Sequence, residues 1–378
     1  MSEVMKTILY GAFGRYNFGD CIFPYIVTKL LNNNKVSTDI EYCDILSRDM
    51  TQHGGHKVKS ILSFLKSDDR INVIHVGGAL AADHQVPSLL RMFETESCHE
   101  EELTLLEESL KDIKDFDLPS AYMLSKKSFI NPGIFVANCV GARGSNTAFK
   151  IKDYDFLSFR ETATCDFFKG QGLDKSISCV DSAIMTKSFY DDIIQSKSKK
   201  LITEHGFGND YIAVQLSLGR FIKKYQEEIE HTLNKIIRLY NLPIVFFAAG
   251  TSARHDDLDT YRNISEKLPK GMSFVSETEN LWDVCSIIAN SSIVLNTSLH
   301  VRLLAMQYFR PRFTFITEMK QRCFINECDN VKNDDVTLEN VCELIKNVNE
   351  HDYEADAKQL KFLENEYLEK SSWVQLLK

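Results

Sequence analysis

The chain of 378 residues has no long apolar run. Its longest, the stretch LPIVFFAAG at 242–250, falls far short of the roughly 18–20 residues a membrane-spanning helix requires. A secretory leader is not legible either. MSEVMKTILYGAF lacks a basic start, a long apolar middle and a small-residue cleavage site, and it reads as the approach to a first core strand. Basic charge is in deficit: 44 Lys and Arg against 53 Asp and Glu give a net charge of −9. That balance excludes a sequence-independent nucleic-acid binder, which needs a basic footprint. It leaves room for anionic substrates, because a few local arginines can hold a phosphate on an acidic protein. The ten cysteines form no CxxC, and Cys139, Cys179 and Cys285 sit in apolar stretches. A reduced, cytoplasmic protein fits that usage best. Cys323 and Cys328 read as buried thiols rather than as a disulfide or half a metal site. No His, Cys and Asp cluster has ligand spacing, so no metal is expected. His53-Gly54-Gly55-His56 comes nearest and reads as an exposed loop.

What is present is ordinary globular composition, 44% hydrophobic and 26% charged, long enough for two to three domains at about 150 residues each. Short β-branched and aromatic runs alternate with helical patterns. The expected strands of the first half are 7–10, 72–76, 135–140, 156–159 and 177–180, with a helix over 20–32. Those of the second half are 211–216, 244–248, 273–275, 292–295 and 313–316, with helices over 220–239, 256–268, 281–289 and 298–307. Repetition of strand, glycine turn and helix predicts parallel sheets with helices on both faces. The polar stretch 186–210, closing on Gly206 and Gly208, suggests a boundary near 195–208. The fold class expected is α/β, two Rossmann-like domains facing a cleft. An N-terminal domain spans 1–200 and a C-terminal domain 201–350, and a last helix over 351–378 packs outside or crosses back to the first domain.

Ligands of such sheets bind at the carboxyl ends of the strands, so the strand-to-helix turns are where chemistry is sought. The first turn, GAFGRYNFGD at 11–20, brings Arg15, Asn17 and Asp20 into one loop. Its glycines admit a ligand to the backbone and the following helix offers amide hydrogens to an anion, although a tight turn capped by Asp20 explains it as well. It is not a GxGxxG. Gly77-Gly78 ends a second strand. Arg160 ends a third and reaches toward a ligand or pairs on the surface with Glu161. Asp181 is either a ligand contact or a turn cap. In the second half Arg220 follows the first strand, and Asp256 or Asp257 caps the helix after the second. The richest turn is Asn296-Thr297-Ser298-Leu299-His300-Val301-Arg302. Asn296 or Thr297 would cap its helix, and the positive helix end favours a neutral or proton-donating imidazole on His300 beside an anion.

Taken together, these turns resemble the polysaccharide pyruvyl transferase family. The matching pieces are GAFGRYNFGD, HVGGAL, LSFRE, VDSA, FFAAGTSARHDD and SSIVLNTSLHVRLLAMQYFRPRF, in the family's order over about residues 5–320. The resemblance implies a GT-B-like fold and transfer of a pyruvyl group from phosphoenolpyruvate to a sugar, usually as a ketal across two hydroxyls. It implies no cofactor, phosphoenolpyruvate being the donor substrate. Catalysis falls to His300, with Asp20 orienting or deprotonating the acceptor. Arg160, Arg220, Thr297, Ser298 and Leu299 would bind the donor, and Arg15, Asn17, Gly77 and Gly78 would contact the acceptor or shape its loop. Partners would be phosphoenolpyruvate and a sugar or lipid-linked glycan, with no nucleic acid. A lipid-linked acceptor would bring a protein without a transmembrane segment to the cytoplasmic face of the inner membrane. The chain departs from the family where Ser298 stands for the arginine of an Arg-x-His, which removes a bidentate anion clamp. It also lacks the proline that follows the aspartate in the family. Arg302, on another face of the helix, is a poor substitute for the arginine. The rival readings are a GT-B glycosyltransferase using a nucleotide-sugar and a non-catalytic subunit of a glycan assembly complex.

Overall fold

The computed structural model describes residues 5–81, 122–141, 147–205, 210–251, 255–333 and 335–378. The expected turn at Gly206 and Gly208, and Arg254 of the turn after the strand at 244–248, lie outside them. Two compact units emerge: Met1–Ser182 with Glu364–Lys378, and Ala183–Leu363. The stretch whose polarity suggested a boundary is helical over Thr186–His205, with a kink at Tyr190.

Among the described residues, the first unit carries eight strands: β1 (Lys6–Tyr10), β2 (Asp39–Asp44), β3 (Arg48–Asp49), β4 (Lys57–Ser60), β5 (Ile71–His75), β6 (Pro132–Val140), β7 (Phe156–Phe159) and β8 (Ile177–Ser178). They lie in the order β3-β4-β2-β1-β5-β6-β7-β8, parallel except for the short β3–β4 pair. Every residue of β5, INVIH, is buried, as a parallel strand covered on both faces must be. Its polar members are satisfied inside. His75 Nδ1 lies 3.2 Å from the Val136 carbonyl while Nε2 accepts from Leu124 N at 3.1 Å. Asn72 accepts from Ile134 N at 2.8 Å.

The second unit carries β9 (Ile212–Gln215), β10 (Ile244–Phe246), β11 (Ser273–Val275), β12 (Ile293–Asn296) and β13 (Arg312–Thr314), all parallel, in the order β11-β10-β9-β12-β13. Its core is Ile, Val, Leu and Phe from these strands packed on Ile229, Leu233, Ile236 and Ile237 of the Lys223–Tyr240 helix. Each such side chain contributes about 1.5–3 kcal/mol on burial.

In both sheets the chain leaves the first strand in one direction, fills that side, and returns to the other. The reversals fall between β1 and β5 and between β9 and β12. At such a switch point the adjoining helices diverge from the strands' carboxyl ends and open a crevice. The topology therefore nominates two places, one in each unit.

Candidate functional site

In the first unit the switch point gathers the loop after β1 and the turn after β5. The helix there starts earlier than its apolar pattern suggests, at Phe18, and runs to Asn33. Its cap is Asn17, whose side chain accepts from Gly19 N at 3.1 Å. Asp20 is thus corrected from cap to first-turn residue, because the side chain before the helix satisfies the free amide. The Asp20 carboxylate instead lies 3.5 Å from Arg15 Nη2. Below the loop, buried Asp44 accepts from Gly14 N at 2.8 Å and Ile45 N at 2.6 Å. Burial pushes its carboxyl up to about 6 against those two hydrogen bonds.

Gly77 and Gly78 have φ of +137° and +88°. A Cβ on Gly77 would stand 2.7 Å from the Phe23 ring, and one on Gly78 3.2 Å from Asp20 Oδ1. Glycine is what lets the β5 turn close over the helix start. The Gly78 carbonyl accepts from Gly141 N at 2.7 Å, and a Cβ on Gly141 would meet Arg160 Nε at 2.7 Å. Arg15, Asn17, Asp20, Gly77, Gly78 and Arg160 thereby form one neighbourhood. Of the two readings of Arg160, toward a ligand or paired with Glu161 at the surface, the pair forms, but it is buried. Nε donates to Glu161 at 2.9 Å and Nη1 to Asp181 at 2.9 Å. Burial by itself would lower the guanidinium's pKa, but the two carboxylates outweigh it and hold the group charged. Asp181 is accordingly the partner of Arg160.

The His53-Gly54-Gly55-His56 loop is partly covered rather than exposed. His56 stacks on Tyr42 at a centroid distance of 3.8 Å and packs on Tyr25 at 4.1 Å, and His53 stacks on Tyr16. Burial pushes the His56 imidazole down to about 4.

In the second unit, β9 leads through Ser217 into a π-turn, Leu218–Ile222, that presents Arg220. Such turns interrupt the helical ladder and recur at functional sites. β12 leads through Asn296 and Thr297 to the Leu299–Gln307 helix, in which His300 is the second residue. The cap position belongs to Ser298, which makes no side-chain cap bond, and not to Asn296 or Thr297. Asn296 Oδ1 turns back to accept from Ser298 N at 3.0 Å, and the Thr297 hydroxyl accepts from Ser217 N at 2.8 Å. First-turn amides of a helix have no carbonyl of their own to bond, so a helix without a side-chain cap suits an anion. His300 is partly exposed, with its Nε2 covered from solvent.

Two cations stand nearby. The buried Glu318 carboxylate pairs with Arg220 and, at 2.7 Å, with Lys320 Nζ. The Arg220 side chain is half exposed. Lys320, Glu318 and Gln321 escaped the sequence reading. Their signal was the rule already applied to other turns, since they follow the carboxyl end of β13. Gln215 and Asp256 were also missed in their roles. Gln215 Nε2 donates to Asp256 Oδ1 at 2.7 Å, Ala249 N to Asp256 Oδ2 at 2.7 Å, and Thr297 N to Gln215 Oε1 at 3.2 Å. Asp257, one of the two expected caps, does cap the Leu258–Ser265 helix, accepting from Thr260 N. Arg302 is fully buried on Asp329 and faces away from the site.

Solved structures of similar architecture include UDP-GlcNAc 2-epimerases. That of Neisseria meningitidis bound to UDP-GlcNAc is 12% identical, with a TM-score of 0.55 and 99% of each chain covered. The enzyme of Rickettsia bellii is 11% identical, with a TM-score of 0.56 over 99% of this chain and 98% of that one. That of Methanocaldococcus jannaschii is 11% identical, with a TM-score of 0.52 over 91% and 99%. At such identities the likeness speaks for the fold, and it defines this protein as an α/β protein of the GT-B type. No curated protein is significantly similar to the chain in sequence. The chain belongs to the polysaccharide pyruvyl transferase family, whose model matches residues 17–317, from the Asn17 cap through the His300 helix. Among the described residues no helix is long and apolar enough to cross a membrane.

Proposed function

We propose that the protein transfers a pyruvyl group from phosphoenolpyruvate to a sugar of a polysaccharide or its precursor, closing a ketal. The observation that carries this reading is the convergence, at the switch point of the second sheet, of an uncapped helix start bearing His300 with Arg220 and Lys320 on one carboxylate. A small anion of two or three charges suits that arrangement. Ser298 stands where the family carries arginine, and Arg220 and Lys320 offer the guanidinium and ammonium that this position lacks.

The donor phosphate is assigned to the first-turn amides around Ser298 and Leu299, beside Thr297, and the donor carboxylate to Arg220. Arg160, already balanced by Glu161 and Asp181, has less charge to offer a donor. His300 delivers a proton to the enol methylene, which becomes the methyl group, and C2 becomes electrophilic. One sugar hydroxyl adds to C2 and a second displaces phosphate, so one C–O bond breaks as the second forms. The hydroxyl protons pass to a base, for which Asp20 is proposed, with Arg15, Asn17, Gly77 and Gly78 shaping the acceptor's loop. No cofactor enters this scheme. A lipid-linked acceptor would bring the protein to the cytoplasmic membrane face.

Release of inorganic phosphate from phosphoenolpyruvate, dependent on an added glycan, tests the reaction across a panel of acceptors. His300→Ala should lower the rate by about 10²–10⁴-fold while the thermal unfolding temperature stays near that of the wild type. Unchanged kinetics in that variant would remove His300 from catalysis. Binding of a UDP-sugar in calorimetry, with none of phosphoenolpyruvate, would replace the donor.

A further inference from the structure

Gln321 is the third residue of the Met319–Glu327 helix, is almost wholly buried, and answers the Glu318 cap in a capping box. For that task alone glutamate would serve as well as glutamine, since only an acceptor is needed. Gln321 Oε1 fulfils it, accepting from Thr317 N at 2.7 Å and Glu318 N at 2.9 Å. The amide nitrogen does something a carboxylate could not. It donates to the Thr297 carbonyl, in the turn that leads into the His300 helix. Thr297 is held from the other side too. Its N–H reaches Gln215 O at 3.1 Å and Gln215 Oε1 at 3.2 Å, and its hydroxyl takes Ser217 N. The far end of the bridge is Glu318, whose carboxylate grips Arg220 and Lys320.

We propose that Gln321 is a positioning residue that sets the spacing between the His300 helix start and the Arg220–Lys320 pair, so that one small dianion meets both. It touches no substrate. The choice of phosphoenolpyruvate as probe rests on the function proposed above, but the link itself does not.

The test is Gln321→Glu, which keeps both cap acceptors and places a carboxylate oxygen against the Thr297 carbonyl. In the ligand-free protein, hydrogen exchange should quicken across residues 298–301 and stay unchanged at the start of the Met319–Glu327 helix. In calorimetry the folded variant should bind phosphoenolpyruvate at least about tenfold more weakly than the wild type, the order of loss expected when binding groups are displaced by a fraction of an ångström. A folded variant with unchanged exchange at 298–301, or with a Kd within about twofold of wild type, overturns the proposal. If the wild type itself binds no phosphoenolpyruvate, the functional reading falls, and the exchange result alone decides the link. Should Gln321→Glu not fold, Gln321→Asn keeps the amide but withdraws it by one methylene, and the same two measurements apply.

Discussion

Arg160 and Arg220 look alike in the sequence, each just beyond a strand, yet their environments differ. Arg160 sits between two buried carboxylates, whereas Arg220 shares one carboxylate with Lys320 and stays half exposed. Only contacts with Asp181 and Glu318, both remote in the chain, make that distinction. Asp256 shows the same limit, because its neighbour Asp257 takes the cap and Asp256 turns inward to Gln215 and Ala249 N. Burial pushes its carboxyl up to about 7. The folded state then holds more protons than the unfolded chain between about pH 4 and pH 7, so stability is present at low pH and is lost as pH rises through that window. The slope is at most about 1.4 kcal/mol per pH unit. The two tryptophans fall one in each unit, Trp373 in the first and Trp282 in the second. Urea unfolding followed by Trp282 fluorescence in a Trp373→Phe background should show this slope, and Asp256→Asn should flatten it. Identical pH profiles with and without Asp256 would refute the assignment.

At the scale of elements, strands rich in apolar and aromatic residues were legible: 156–159 and 273–275 fall where expected, and the other expected strands differ by a few residues at their ends. β2 to β4 were not. DIEYCD carries three acids in six residues, and only pairing with β1 and β4 makes it a strand. Helix caps were misassigned by one to three residues, since several Asp, Asn and Ser side chains compete near each start and packing selects among them. Charge pairing between elements was wholly hidden. Arg302 and Arg312 share buried Asp329, and Arg312 also grips Asp356, which His351 approaches at 2.9 Å. Burial opposes the Asp329 charge, but the two guanidinium groups hold its carboxyl well below the usual range. Arg312→Met takes the shared guanidinium from two buried carboxylates, Asp356 and Asp329, and should cost about 3–5 kcal/mol, measured as a drop in the urea midpoint at constant m-value. A loss below about 1 kcal/mol would mean that water or rearrangement replaces the arginine.

For the molecule as a whole, the C-terminal residues belong to the first unit: Tyr367, Trp373, Val374 and Leu377 are all buried. Tyr367 OH accepts from Asn138 at 3.5 Å, and Lys370 Nζ donates to Ser178 O at 2.7 Å. Truncation after Leu363 removes a tryptophan and a tyrosine from that core, each worth about 3–5 kcal/mol when deleted. The first unit should then become protease-sensitive while the Ala183–Leu363 unit resists digestion. Equal resistance of both units would show that the tail is dispensable.

The alternation of strand, turn and helix was legible from the chain alone, as were the turns bearing Asp20, Gly77, Arg160, Arg220 and His300. Those features follow from periodicity and turn chemistry, which act within a few residues. Strand order was decided only in three dimensions, and with it the two switch points that select among the turns. So were the partners of each charge and the amide of Gln321 that joins the Met319–Glu327 helix to the His300 turn. Such relations depend on which distant segments pack together, and pairing between strands is set by the burial of whole faces rather than by any local pattern.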